Sequence, residues 1–296
     1  MKTHTQNTLQ EIGFQLDRNL FPSVYNGGIV KPSDTTVATS TLGEDINNDS
    51  QRQRRPETRS WQGASGWQRP TYRPWSPDRT APLISSSLQT KYEAELAAVK
   101  VAYPNTTIWH QAGGMWLLTE SSVLSGLEKK ATFLTAIPYS LTSTVKSWGF
   151  WTTPVSTEWI GPRHTNFPDG SICAFEPKDK TWGSGDSVVK LLDLYSLWAL
   201  RHEHLRVFGR WPGYQSVHHP YERLSELKDD EFCGCANSKT LYSNCCKKYD
   251  LARNQIADAI EFQLMFAGEK PRKPPQVITN FIHAREVVPF INALLS

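Results

Sequence analysis

The stretch Arg163-His164-Thr165-Asn166-Phe167-Pro168-Asp169-Gly170-Ser171-Ile172-Cys173 decides how the rest of the chain is read. It carries the one cysteine outside the C-terminal third of the 296 residues. Pro168-Asp169-Gly170 is turn chemistry: proline fixes φ, aspartate bonds its own backbone, and glycine accepts positive φ. The turn delivers Cys173 onto the apolar run Ile172-Cys173-Ala174-Phe175, with the polar pair His164 and Asn166 just upstream. The residues allow two readings. An unpaired cysteine is commonly a small buried hydrophobe. A thiolate nucleophile instead needs partial exposure and a polar surround. The turn before Cys173 and the charged loop Glu176-Pro177-Lys178-Asp179-Lys180 after it place it at a rim.

Working upstream, Leu88, Tyr92, Leu96, Val99 and Tyr103 recur at helical spacing and form one apolar face, which Pro104 ends. Strand-like runs follow: Ile108–Leu118 with a Gly113-Gly114 break, Ala131–Ile137, the aromatic Val145–Trp151, and the shorter Val155–Ile160. Consecutive short strands imply an antiparallel meander. Downstream lie Trp182 and an N-cap at Asp186 or Ser187, then the strongly apolar Val188–Leu205, which reads as a largely buried helix. Gly209-Arg210-Trp211-Pro212-Gly213 closes the region as a rigid aromatic loop. The expected class is α+β, with a helix packed on one face of the sheet.

Composition bounds the rest. The N-terminus lacks an apolar signal core, and no run approaches the roughly 18 apolar residues of a membrane span. A net charge of +3 is too weak to argue for nucleic acid. Five cysteines, four of them clustered, fit a reducing, cytoplasmic setting better than a disulfide framework. Residues 1–82 read as a mostly disordered extension, with one short amphipathic piece over Leu9–Phe21. Within it, residues 51–80 interleave seven arginines with Trp61, Trp67, Tyr72 and Trp75. Such a tract is a linker or docking segment, or a single-strand nucleic-acid binder. A folded domain spans 83–213, a cysteine module with a helix 214–268, and a linker and tail 269–296.

In the module, Cys233-Gly234-Cys235 and Cys245-Cys246 are separated by nine residues. Four thiolates in so short a span suit tetrahedral zinc in a closed, structural site. Lys239, Lys247 and Lys248 are the nearby cations, and protein docking is the expected use. The pattern resembles the SEC-C zinc motif, including Ser238-Lys239 and the aromatic Tyr242. Tyr249–Ala267 reads as one helix with Leu251, Ile256, Ile260 and Leu264 on one face, closed by Gly268 and Pro271. The tail from Val277 is apolar enough to dock as a strand or short helix. Histidines 202, 204, 218 and 219 are expected in surface or capping roles.

The stretch quoted first resembles the active-site region of ubiquitin-conjugating (E2) enzymes. That family has a His-Pro-Asn motif, a short loop, a Gly-x-Ile-Cys segment, a later Trp and a helix behind it. Here His164-Thr165-Asn166, Gly170-Ser171-Ile172-Cys173, Trp182 and the Val188–Leu205 helix come in that order, with similar spacing. The helix-then-meander order also matches, so the resemblance covers residues 83–213. Thr165 replaces the motif proline and the loop to the cysteine is one residue shorter, which resembles divergent prokaryotic members. Some of those are encoded beside nucleotide cyclases in anti-phage operons.

The resemblance implies a UBC-like fold in which Cys173 forms a thioester with a protein C-terminus and passes it to an amine. The acyl donor would be a ubiquitin-like modifier or a cyclase C-terminus, activated elsewhere. It also implies that Asn166 supports the active-site loop and helps stabilise an oxyanion, and that His164 is more structural than catalytic. Two other readings stand beside it: a non-catalytic protein-binding adaptor, and a nucleic-acid binder using the Arg/Trp tract.

Overall fold

The computed structural model describes residues 23–30, 86–121, 129–139, 144–175, 181–183, 185–235, 240–265, 272–284, 288–291 and 294. Its centre is the meander that the sequence anticipates. Strands β3 (Thr106–Gln111), β4 (Gly114–Ser121), β5 (Lys130–Pro138), β6 (Lys146–Thr152) and β7 (Thr157–Trp159) lie in sequence order, every neighbour antiparallel. The expected run Ile108–Leu118 is two strands. Gln111 pairs with Gly114, so the glycine break is a two-residue hairpin turn.

The strands read as continuous apolar runs because both faces of the sheet are covered. Met115, Leu117, Ala131, Phe133 and Trp151 meet helices α1 (Ser86–Ala102) and α2 (Val188–Phe208). The alternate residues Trp116, Leu118, Leu134, Ala136, Trp148 and Phe150 meet the C-terminal helix (Gln276–Ala284), through Ile278, Phe281 and Ile282. The expectation was a helix packed on one face, with the tail docking as a strand or short helix. The tail supplies the second cover, and Pro289 clips it to the sheet by accepting from Trp116 Nε1 at 2.8 Å and Gln111 Nε2 at 2.9 Å.

α1 buries Leu96 and Val99, and Tyr103 just past its end is buried with them, its N–H on Val99 O at 2.7 Å. α2 is capped by Ser187, whose Oγ accepts from Lys190 N, and ends at Gly209 in the left-handed conformation. Its Asp193 is buried and receives Tyr103 Oη at 2.6 Å, Gly27 N at 2.8 Å and Asn26 N at 2.9 Å. The last two belong to a hairpin, β1 (Ser23–Tyr25) and β2 (Gly28–Val30). Residues 23–30 therefore depart from the expectation of an unstructured extension. The Asn26-Gly27 turn, both residues at positive φ, docks where no β-carbon fits: one on Gly27 would lie 2.3 Å from the Ala102 carbonyl oxygen. Leu9–Phe21 and the Arg/Trp tract lie outside the described residues.

Beyond α2 come α3 (Pro220–Glu226), a 3-10 turn (Tyr242–Asn244), α4 (Lys247–Ala252), α5 (Gln255–Met265) and α6, the tail helix Gln276–Ala284 already met. The expected single helix over Tyr249–Ala267 is broken at Arg253-Asn254. Its apolar face is not buried either: Ile256, Ile260 and Leu264 are 74%, 55% and 70% exposed. Periodicity dictates a helix face but not what covers it. No helix among the described residues is long and apolar enough to cross a membrane.

Candidate functional site

The Cys173 loop is stitched to the lower half of β6, which β7 leaves open. Ile172 N donates to Ser147 O at 2.7 Å, Trp148 Nε1 donates to Asp169 O at 2.8 Å, and Lys146 pairs with Asp169 at 3.0 Å. Inside the loop, Thr165 and Ile172 form an isolated antiparallel bridge. Asn166 N donates to Ser171 O, Gly170 N to Asn166 O, and Ser171 N to the Asp169 carboxylate. The Pro168-Asp169-Gly170 turn thus has the Asx chemistry its sequence suggests, with Gly170 at φ +63°.

Cys173 emerges half-buried from this turn. Its N–H donates to the His164 carbonyl at 3.0 Å, and the same carbonyl accepts from Trp198 Nε1 of α2 at 2.8 Å. Asn166 lies beside it. Its side-chain amide donates to Ile172 O at 3.1 Å and Ser171 Oγ at 3.2 Å, so it braces the backbone one residue before the thiol. Phe175 and Trp182 pack together beyond the cysteine at 5.7 Å, and Trp182 Nε1 reaches Ser187 O at the head of α2. No disulfide involves Cys173.

His164 has a different surround. It holds φ +50°, unusual for a residue with a β-carbon, and such strain persists only where the surroundings over-determine it. The ring turns toward Gln215 Oε1 at 3.1 Å and packs on Trp211 at 4.1 Å. Burial, with Arg163 adding to it, holds its pKa well below the ordinary histidine value. A neutral imidazole cannot act as the cation that lowers a thiol pKa. What His164 contributes to Cys173 is a backbone carbonyl in a fixed place.

The second cluster is the cysteine module. Cys233, Cys235, Cys245 and Cys246 bring their sulfurs within 4.8 Å of one another, with Cys235–Cys245 at 3.5 Å and Cys245–Cys246 at 3.8 Å. A tetrahedral ion with bonds of about 2.3 Å would set sulfurs about 3.8 Å apart. The donor set therefore fits a metal of that kind. Burial and bonding from neighbouring thiols push the Cys245 pKa up to about 11 and raise that of Cys246 too. So crowded a thiol group resists ionisation until a cation compensates it.

The backbone explains the convergence. Phe232 bridges Leu241, Cys233 N donates to Thr240 O, and Tyr242 N donates to Glu231 O, so two short segments present cysteines from both sides. Gly234, at φ +73°, passes so close to Val217 that a β-carbon would meet its nitrogen at 2.8 Å. Of the anticipated cations, Lys247 pairs with Asp229, Lys248 lies over Tyr249, and Lys239 is outside the described residues. The cation that sequence reading missed is Arg223, buried and bidentate to Asp250 at 2.6 and 2.8 Å, with Cys246 and Cys233 within its field.

The four cysteines are the one metal-ligand group among the described residues. His219 caps α3 by accepting from Tyr221 N, as expected of a loop histidine. His202 and His204 are buried rather than on the surface. The first packs between Trp198 and Trp211, and the second bonds Arg210 O at 3.0 Å.

Comparison with protein families, with characterised proteins and with solved structures finds no match for this chain. The functional reading therefore rests on the residues and their geometry.

Proposed function

We propose that the chain is a ubiquitin-conjugating-enzyme-like acyl transferase of UBC-like fold, working through a thioester on Cys173. The observation that carries this reading is the Cys173 turn: a half-buried thiol whose N–H is pinned to His164 O, and whose preceding carbonyl is braced by Asn166. It lies between an antiparallel meander and a buried helix, the order that the family resemblance implies.

The chemistry balances on named atoms. The Cys173 thiolate attacks the activated carbonyl carbon of a protein C-terminus. A C–S bond forms, and the activating group leaves with its bonding pair. An amine nitrogen then attacks the same carbon, a C–N bond forms, the C–S bond breaks, and the amine proton passes to solvent or a base. The modifier is a protein with a free C-terminus, activated by an ATP-using partner. Asp169 is committed to Lys146 and to Ser171 N, which argues against it as that base; Glu176 and Asp179 lie outside the described residues. Asn166 holds the loop: its side-chain amide is spent on Ile172 O and Ser171 Oγ, and would have to leave one of them to donate to a developing oxyanion. The module's metal is zinc, in the closed four-thiolate site of a structural rather than catalytic ion. Reduced thiols throughout suit a cytoplasmic setting.

Incubation with an activating enzyme and modifier from the same genome tests the reading. The wild type should form an adduct that thiol or hydroxylamine releases, and Cys173→Ala should not. If both forms retain the same partners and neither yields a thiol-sensitive adduct, the transferase reading fails. The adaptor reading then takes its place, and the exposed Ile256–Ile260–Leu264 stripe is the observation on its side. The Arg/Trp tract lies outside the described residues, so no structural observation favours nucleic-acid binding.

A further inference from the structure

Two arginines tie the Cys173 loop to the cysteine module, from different directions. Arg163 opens the loop. Its guanidinium grips Glu231 with both forks and reaches Gln215 Oε1 at 2.7 Å. Glu231 is fully buried, also accepts from Trp211 N at 2.6 Å, and stands two residues before Cys233. Gln215 continues the tie by donating to Phe232 O at 2.8 Å. The backbone of Glu231 accepts from Tyr242, at the start of the turn that leads to Cys245.

Arg272 comes from the segment after α5. It donates to Thr165 O at 3.1 Å, lies 4.1 Å over the Phe167 ring, and bonds Glu226 at 2.7 Å and Glu222 at 3.3 Å on α3. α3 is locked to the module by Arg223 and Asp250, four residues after Cys246. The next residue, Lys273, lies with its backbone against Gly170, where a β-carbon would meet it at 2.7 Å.

We propose that the four-cysteine module positions the Cys173 loop, with Arg163 and Arg272 as positioning residues, so that metal occupancy sets the reactivity of Cys173. The path is short and physical. Cysteines on both short segments hold Glu231 in place, and Glu231 holds Arg163. Arg163 precedes His164, whose strained backbone presents the carbonyl that fixes Cys173 N–H. Release of the metal lets the two segments part, and a buried carboxylate that shifts takes its guanidinium partner with it. The inference rests on the module taking a metal, as proposed above, but not on acyl transfer.

The test is the rate at which iodoacetamide alkylates Cys173 in the full chain, read from the mass of the Cys173 peptide. Four samples are compared: wild type and Arg163→Met, each zinc-loaded and chelator-stripped, with bound zinc measured in each. Stripping should change the wild-type rate about fivefold or more, and loaded Arg163→Met should show a change of similar size. Stripping that variant should add less than about twofold, because coupled perturbations are not additive. Loaded Arg272→Met should shift the rate in the same direction.

Equal rates in the loaded and stripped wild type, with unchanged circular dichroism, overturn the proposal. If stripping unfolds the chain, the loaded variants decide: rates equal to wild type at full zinc content also overturn it. Absence of bound zinc in the purified wild type removes the metal reading and this proposal together, while leaving acyl transfer to its own assay.

Discussion

The Asn166 side-chain amide donates to the Ile172 carbonyl at 3.1 Å, one residue before Cys173. The bond fixes the backbone that carries the thiol, and Asn166 spends its own N–H and C=O on the same turn. Asn166→Asp would set a carboxylate oxygen against that carbonyl, replacing attraction by repulsion. We expect discharge of a Cys173 thioester to an amine to slow at least about tenfold, since a misplacement of about 1 Å at a reacting centre can cost about 10²-fold. Stability should fall by about 1–3 kcal/mol, the range for a carbonyl that loses its donor. Single-turnover discharge and thermal unfolding, measured on the same preparation, separate the two. A discharge rate equal to wild type would remove Asn166 from the site.

The sulfur geometry makes a stoichiometric prediction. Purified protein should carry about one zinc per chain, and Cys233→Ser and Cys245→Ser should each carry clearly less. Chelation should lower the melting temperature, because metal-binding free energy in such a module is folding free energy. Metal analysis with chelator-dependent melting checks both. Full zinc content in the two serine variants would show that the ion is held elsewhere.

Much of this was legible in the sequence because it is local. The Leu96–Val99–Tyr103 face, the apolar strand runs, the Ser187 cap and the paired cysteines are each set by residues within a few positions of one another. What could not be read is long-range. Asp193 and Gly27 are 166 residues apart, and Arg163 and Glu231 are 68 apart. Neither pair leaves a periodic trace. The hairpin did carry a signal, Asn26-Gly27 between Val24-Tyr25 and Ile29-Val30, which the polar composition around it obscured. The Ile256–Ile260–Leu264 stripe is the opposite case: its helical period is correct, and says nothing of what the face meets.

Asp193 supplies the next test. Its buried carboxylate collects two backbone donors from the hairpin and the Tyr103 hydroxyl, and Tyr103 has its pKa raised by burial and by this neighbour. Asp193→Ala removes the acceptor of the buried Gly27 N, while the exposed Asn26 can turn to water and Tyr103 Oη keeps Ser196 Oγ at 3.1 Å. We expect a loss of about 1–3 kcal/mol, the cost of one unsatisfied buried group. Hydrogen exchange should show residues 23–30 losing protection before the sheet does. Unchanged protection there would mean that the hairpin is held by other contacts.

Acid stability follows from the buried histidines. Burial pushes the His202 pKa down to about 3 and that of His204 to about 4, against 6.5 when unfolded. His202 bonds the Arg163 backbone, lies between Trp198 and Trp211, and feels the Arg163 charge. Below pH 6.5 the unfolded chain binds protons that the folded chain refuses, so stability falls as pH falls. Each group adds a slope approaching about 1.4 kcal/mol per pH unit. Above pH 6.5 neither contributes. His202→Phe removes one titrating group while keeping a flat ring between the tryptophans, so its packing effect is the same at both pH values. Wild type should lose about 2 kcal/mol more than the variant between pH 7.5 and pH 5. Carboxylates raised toward that interval, such as Glu222 by its burial and by Glu226, are present in both proteins and cancel in the difference. Parallel loss of stability in the two proteins, measured by urea unfolding at each pH, would show that His202 protonates in the folded chain as readily as in the unfolded one.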